Sequence, residues 1–233
     1  VPRHALHLEA SEEQAWSSVP AILARVDAVK RFRQKSKAKT TNGYAAVPHR
    51  FAQYCHRNER ALALPSVTLE DRSYVTPLLL REGVMVTNLA YLVYGFGIEL
   101  FGLISSRMHV VWVRAVSGRL GAGIRYTPTV SYHTFPVPEM TDKNRADLAR
   151  SAESILLSRE AHFPATIADL YDPDNMPGNL REAHDHNDEV MERIYIGRRF
   201  RNDTERLEKL FELYTKSIAG QGKTKKAKTG AGA

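Results

Sequence analysis

The densest group of titratable side chains in the 233-residue sequence is His184-Asp185-His186-Asn187-Asp188-Glu189, which contains the right atoms to hold a metal ion. Helical spacing works against it. Successive residues turn by about 100°, so His184 and Asp188 share a face while His186 lies about 200° round, and the ligands do not converge on one ion. The cluster reads as a polar helix face, with no metal site. Ser105, Ser106 and His109 would supply a nucleophile and a base at i, i+4. Nucleophile elbows, however, sit on strained turns flanked by glycine, and a mid-helix serine bonds back to its own backbone. Cys55 next to His56 is no better placed, because adjacent residues on a strand point to opposite faces. No Gly-rich phosphate or dinucleotide loop follows a strand, and there is neither a Walker lysine nor a pair of acids at metal-binding spacing. No catalytic residue is assigned to the chain.

Charge points elsewhere. With 33 Lys and Arg against 26 Asp and Glu, the net charge of +7 attracts polyanions, nucleic acid first among them. The run Lys30-Arg31-Phe32-Arg33-Gln34-Lys35-Ser36-Lys37-Ala38-Lys39 has six cations and no anion. It reads as a solvated loop that would track phosphates beside DNA. One cysteine excludes an internal disulfide and cysteine-rich zinc sites, and fits a reducing cytoplasm. The apolar stretch Val84–Val116 is interrupted by Glu99, Arg107, His109 and Arg114, too early for a membrane span of roughly 20 residues. Val1-Pro2-Arg3-His4 has no initiator methionine and no signal peptide follows it, so an excised fragment is expected.

Periodicity supplies the elements that must position any site. Ser11–Val29 places Trp16, Val19, Ile22, Leu23, Val26 and Val29 on one helical face, with Ser11 as its cap. Leu62–Leu69, Tyr74–Leu80 and Val84–Val93 read as strands, with a turn at Arg81-Glu82-Gly83. Gly97–Val116 reads as one helix, apolar on most sides and central. A loop over Arg119–Gly123 leads to a strand predicted at Ile124–Phe135. Phe135-Pro136-Val137-Pro138 breaks the chain, and helices at Thr141–His162, Asn179–Tyr195 and Asp203–Ile218 form a small bundle. The expected fold class is α+β: a mixed strand and helix domain over 1–138, a C-terminal helical segment over 139–219, and a disordered basic tail over 220–233.

The block Phe101-Gly102-Leu103-Ile104-Ser105-Ser106-Arg107-Met108-His109-Val110-Val111-Trp112-Val113-Arg114, followed by Gly118-Arg119-Leu120, Arg125-Tyr126 and Phe135-Pro136, closely resembles the target-recognition region of MmeI-like enzymes. Leu170-Tyr171-Asp172-Pro173, Met176-Pro177, Leu180-Arg181, Ala183-His184 and Leu210-Phe211-Glu212-Leu213-Tyr214 resemble the family's C-terminal helical segment. The resemblance runs from about Val47 to Tyr214. It implies a single-chain bacterial restriction-modification parent that methylates adenine in double-stranded DNA with S-adenosylmethionine. The methyltransferase core of the same parent chain would lie upstream of Val1. This segment would then be a non-catalytic reader of the target sequence, without cofactor or metal of its own. A stand-alone nucleic-acid-binding adaptor is the alternative reading, and a small hydrolase built on Ser105, His109 or the 184–189 cluster the weaker one.

Carried onto this sequence, the resemblance places base readers at Gly121, Gly123 and Arg125, together with Asn88 and Glu70. If a strand starts at Ile124, Ile124 and Tyr126 turn inward and Arg125 outward. A guanidinium there can bond guanine O6 and N7 or touch phosphate; Asn88 can pair with adenine or cap a turn; Glu70 can accept from cytosine or pair with Arg72. Relatives that read a base at positions 121 and 123 carry charged side chains there. Two glycines therefore predict degenerate recognition, or none, at the base pair they face, and a new preference once both are replaced by charged residues. Phosphate contacts are assigned to Lys30, Arg31, Arg33, Lys35, Lys37, Lys39, Arg50 and Arg119.

Overall fold

The computed structural model describes residues 4–229. The chain comprises two compact units, Val1–Arg57 and Asn58–Ala233. The first is helical. A 3-10 turn at Ala10–Glu12 leads into α1 (Glu13–Ser17), α2 (Pro20–Gln34), α3 (Lys39–Gly43) and a second 3-10 turn at Tyr44–Ala46. The single helix expected over Ser11–Val29 is thus two. Ser11 does not cap α1, and Pro20 opens α2 at its first turn, where a missing N–H costs nothing and the fixed φ suits the helix. The basic run is not a loop at its start. α2 continues to Gln34 because Lys, Arg and Gln are good helix formers and Arg31 and Arg33 sit favourably at the negative helix end. Asn42 Nδ2 donates to Gln34 O at 2.9 Å and ties α3 to that end.

The second unit holds two three-stranded antiparallel sheets. One has β1 (Ala61–Pro65) between β3 (Leu78–Leu80) and β4 (Ala90–Tyr94); the other has β6 (Gly123–Arg125) between β2 (Val67–Leu69) and β5 (Arg119–Leu120). The strand expected at Leu62–Leu69 is split at Pro65-Ser66, because proline cannot donate to a continuing ladder. Ser66 joins the sheets: its N–H donates to Leu89 O at 2.9 Å, and its carbonyl accepts from Tyr126 N at 2.9 Å. The strands predicted at Tyr74–Leu80 and Val84–Val93 contract to their last residues. The turn between them does not pair them, since both flank β1. The strand predicted at Ile124–Phe135 ends at Arg125, and Pro128–Tyr132 forms a π-helical turn started by Pro128.

The central helix is likewise two, α4 (Ile98–Ile104) and α5 (Arg107–Val116). Ser106 has extended backbone and its Oγ accepts from His109 N, so it caps α5 where the sequence alone predicts a helix interior. Phe101, Ile104, Met108 and Trp112 are fully buried, as their mixed-face hydrophobicity predicts. They share one core with Leu148 and Ile155 of α6 (Asp142–Glu160), with Leu170 of the short α7 (Ile167–Leu170), with Leu180 and Met191 of α8 (Gly178–Ile196), and with Leu210 of α9 (Asp203–Thr229). Hence the side chains on either side of Phe135-Pro136-Val137-Pro138 pack together. Gly102 permits the close approach of α4 to α6: a Cβ there would lie 2.9 Å from Asn187 Oδ1 and 3.1 Å from Leu148 O. Backbone helix continues past Gly220 to Thr229, over the first part of the tail expected to be disordered, since Lys, Ala and Gln sustain the helix; residues 1–3 and 230–233 lie outside the described residues. No helix among the described residues is long and apolar enough to cross a membrane.

Candidate nucleic-acid interface

His184, Asp188, Ser105 and His109 are committed to the interior, while Cys55, Asp185 and His186 are exposed. Arg159 Nε donates to Tyr171 Oη at 2.7 Å, Tyr171 Oη lies 2.6 Å from His184 Nε2, and His184 Nδ1 lies 3.1 Å from Ser105 O. Because the arginine can only donate and the carbonyl only accept, the chain of bonds fixes His184 as the neutral Nδ1–H form. Burial agrees, holding this imidazole down at about 3. Asp188 accepts from Tyr74 Oη at 2.9 Å and from Arg107 N at 2.5 Å, so it completes the α5 N-terminus that Ser106 begins. Burial nevertheless pushes its carboxyl up to about 7, outweighing both hydrogen bonds. Asp185 and Glu189 pair with Arg199. Among the described residues, no three His, Cys, Asp or Glu side chains gather to hold a metal. Ser105 is buried, and His109 Nε2 meets Tyr126 Oη at 3.0 Å, so neither faces a substrate. The two residues are also separated by the break at Ser106, not aligned on one helix.

The small β2-β6-β5 sheet is different. Its register places Val67 opposite Arg125, Thr68 opposite Ile124, and Leu69 opposite Gly123; Leu120 faces Gly123 from the other side. Directly opposite residues share a face. The inner face therefore carries Thr68 and Ile124, both buried, with Arg119 opposite Ile124 on the exposed edge strand, while the outer face carries Val67, Leu69, Leu120 and Arg125, all exposed. Arg125 projects outward between the buried Ile124 and Tyr126, as strand alternation predicts. Its N–H donates to Gly118 O at 2.8 Å, and its guanidinium has no hydrogen-bond or ion-pair partner among the described residues. The apolar side chains on this face carry no charge or motif, and the one trace of them in the sequence is the alternation Val67-Thr68-Leu69.

Asn88 is exposed on a turn closed by Ala90 N donating to Thr87 O at 3.3 Å. Its neighbour Leu89 is the residue whose carbonyl binds Ser66, and Ser66 in turn binds Tyr126, the neighbour of Arg125. The structure thus brings Asn88 and Arg125 to one junction. Glu70 lies past the other end of β2. It pairs with Arg119, not with Arg72, and that guanidinium holds the Glu70 carboxyl below its ordinary value. Arg114 fastens the same turn to α5 by donating to Glu70 O at 2.8 Å and Arg72 O at 3.0 Å.

The two glycines part company. Gly121 has a left-handed backbone, φ 60°, and open space where a side chain would go. Gly123 is closed: a Cβ would stand 2.8 Å from Val67 Cγ1 and 3.1 Å from Thr68 O. Replacing both by charged residues is therefore not one operation, and position 123 cannot accept a side chain until Val67 yields.

Among the expected phosphate contacts, Lys30, Arg31, Lys35, Lys37, Lys39 and Arg50 are exposed. Arg33 is a correction. It bonds Tyr44 O and Val47 O at 3.0 Å each and Arg50 O at 2.7 Å, so it stitches the carbonyls after α3 to α2 and has turned away from solvent. Nothing in the local sequence separates it from its neighbours, because its acceptors lie 11 to 17 residues away.

Comparison with known proteins adds what geometry alone does not name. Residues 1–139 match the target recognition domain of MmeI, and residues 140–220 match the MmeI C-terminal domain. DNA methyltransferase A of Bacillus subtilis (strain 168) is 36% identical over 212 residues, covering 91% of this chain and 24% of that protein. A solved structure of the Type IIL restriction-modification enzyme MmeI in complex with DNA superposes with a TM-score of 0.86 at 31% identity, over 91% of this chain and 28% of that one. The chain spans about a quarter of the length of each of these two relatives.

Proposed function

The chain belongs to the MmeI family, as its target recognition domain followed by its C-terminal domain, and from that membership we propose that it selects the DNA sequence on which a larger restriction-modification protein acts. The outer face of the β2-β6-β5 sheet reads base edges in the major groove. Arg125 takes guanine through O6 and N7, and Asn88, held at the same junction, takes adenine. Lys30, Arg31, Lys35, Lys37, Lys39 and Arg50 supply phosphate contacts, which give affinity and register without sequence preference. Glu70 and Arg119 form a solvent-screened surface pair that opens readily if either is needed at the DNA.

Methyl transfer belongs elsewhere in the parent chain. The cofactor implied for that step is S-adenosylmethionine. A methyltransferase core in the same parent chain would hold that cofactor and modify adenine, and the parent would work in the cytoplasm.

The observation that carries this reading is the unpaired, outward guanidinium of Arg125 on a chain that superposes on a DNA-bound relative. Its test is Arg125→Ala against the parent chain on duplexes selected from a randomised pool. The expected result is a loss of about 1–3 kcal/mol at one G·C pair, roughly 5- to 150-fold in Kd, with the other positions unchanged. Undiminished preference at every G·C pair would defeat it.

A further inference from the structure

Gly121, in the turn between β5 and β6, leaves open space where a side chain would stand. Over Gly123 the space that a side chain would fill is taken by Val67, whose Cγ1 stands 2.8 Å from the ideal Cβ position. Leu69 and Leu120 face Gly123 from the two neighbouring strands. These three side chains are 37%, 49% and 55% exposed, so an uncharged strip runs across the sheet with its apolar atoms in solvent. It is bounded by Arg125, directly opposite Val67, while Arg119, opposite Ile124, belongs to the other face by the same register.

Resting on the reading that this face enters the major groove, we propose that Val67, with Leu69 and Leu120 beside it, recognises the 5-methyl group of a thymine next to the guanine taken by Arg125. Three strands at about 4.8 Å spacing span roughly 10 Å between outer backbones, comparable with the ~12 Å width of the groove. The thymine methyl is the one apolar group that the four bases present there, so an apolar strip flanked by a guanidinium has a single complement on the DNA. Hydration argues the same way. Three branched side chains left against polar base edges would gain nothing from losing water, whereas covering a methyl gains about what burying one carbon does. The base pair facing Gly123 is therefore read by shape, although no residue there can form a hydrogen bond to it.

The test uses this chain and the duplexes selected as above, with each thymine replaced in turn by uracil, which removes the methyl and nothing else. One replacement should weaken binding about fourfold, the effect of one buried methyl. Val67→Thr keeps the volume, exchanges one of two methyls for a hydroxyl, and should lower the thymine-to-uracil ratio at that position. Arg125→Ala should leave the ratio intact while losing the adjacent guanine. Equal binding of every uracil duplex, or a selected site with no fixed thymine, overturns this inference and leaves Arg125 as a guanine reader. Absence of any sequence-dependent binding overturns both.

Discussion

Gly123→Ala is a small change with a calculable penalty. The new methyl would sit 2.8 Å from Val67 Cγ1, 3.1 Å from Thr68 O and 3.5 Å from Leu120 O. The first contact can be relieved by moving Val67; the second is backbone and must be relieved by the sheet. Overpacking of this kind costs about 1–3 kcal/mol. Alanine stiffens the unfolded chain and returns about 0.4–1 kcal/mol where the native backbone suits it, as it does at this strand position, so the net loss is about 1–2 kcal/mol. Val67→Ala removes the first contact, so the double variant should recover part of the loss. The coupling between the two changes should be about 1 kcal/mol, within the range for residues in contact. Gly121→Lys meets open space and pays for its left-handed backbone alone, about 1 kcal/mol, independently of residue 67. Urea denaturation followed by circular dichroism measures all five proteins. A Gly123→Ala variant as stable as the parent, or additive effects at 67 and 123, would refute the argument that Val67 closes this position.

Two further outcomes follow from the site and its supports. Arg31→Ala should lower the slope of log K against log salt by about 0.9 without affecting stability, whereas Arg33→Ala should leave the slope unchanged and lower the thermal midpoint, because its three carbonyl acceptors lose their donor; equal slope changes in the two would reverse the assignment. Asp188, pushed up to about 7 from 3.8, binds a proton in the folded state at pH values where the unfolded chain has lost it, so its contribution to stability falls as pH rises from about 4 to 7. Asp188→Asn keeps an acceptor for Arg107 N and should gain on the wild type over that window, by a few kcal/mol above pH 7 and by nothing below pH 4. His109 and His184, both held down at about 3, act oppositely: their share is present above about pH 6.5 and is lost as pH falls toward 3, so Asp188→Asn should also unfold more steeply in acid. A constant difference between the two proteins across pH 4–8, by chemical denaturation, would contradict the buried carboxyl.

How much of this was legible in the sequence depended on range. The outward turn of Arg125 followed from alternation, because the side-chain period of a strand is local. The helix breaks at Pro20 and Ser106 were written in the sequence as a first-turn proline and a Ser-x-x cap, but runs of apolar residues on both sides masked them. The split at Pro65-Ser66 was masked in the same way, by Leu62–Leu69. Strand partners were not legible. That β1 takes both β3 and β4, and that β2 leaves it for β6, depends on pairings across tens of residues for which no local signal exists. The same holds for side chains whose role is set by distant acceptors or neighbours: Arg33 reads like the five cations beside it, and Gly123 reads like Gly121 until Val67 is placed over it.

Ser66 gives the site a property that no single contact has. Its amide binds the turn that carries Asn88, and its carbonyl binds the strand that carries Arg125, each at 2.9 Å. If Asn88 and Arg125 read bases as proposed, the interval between them is set by backbone hydrogen bonds through Ser66. On that reading, exchanging side chains at 88 or 125 would change which letters are accepted but not how many base pairs separate them. Inserting or deleting a residue between Pro65 and Val67 would do the reverse, so that on the proposed reading the spelling and the spacing of a recognised site would be separable traits.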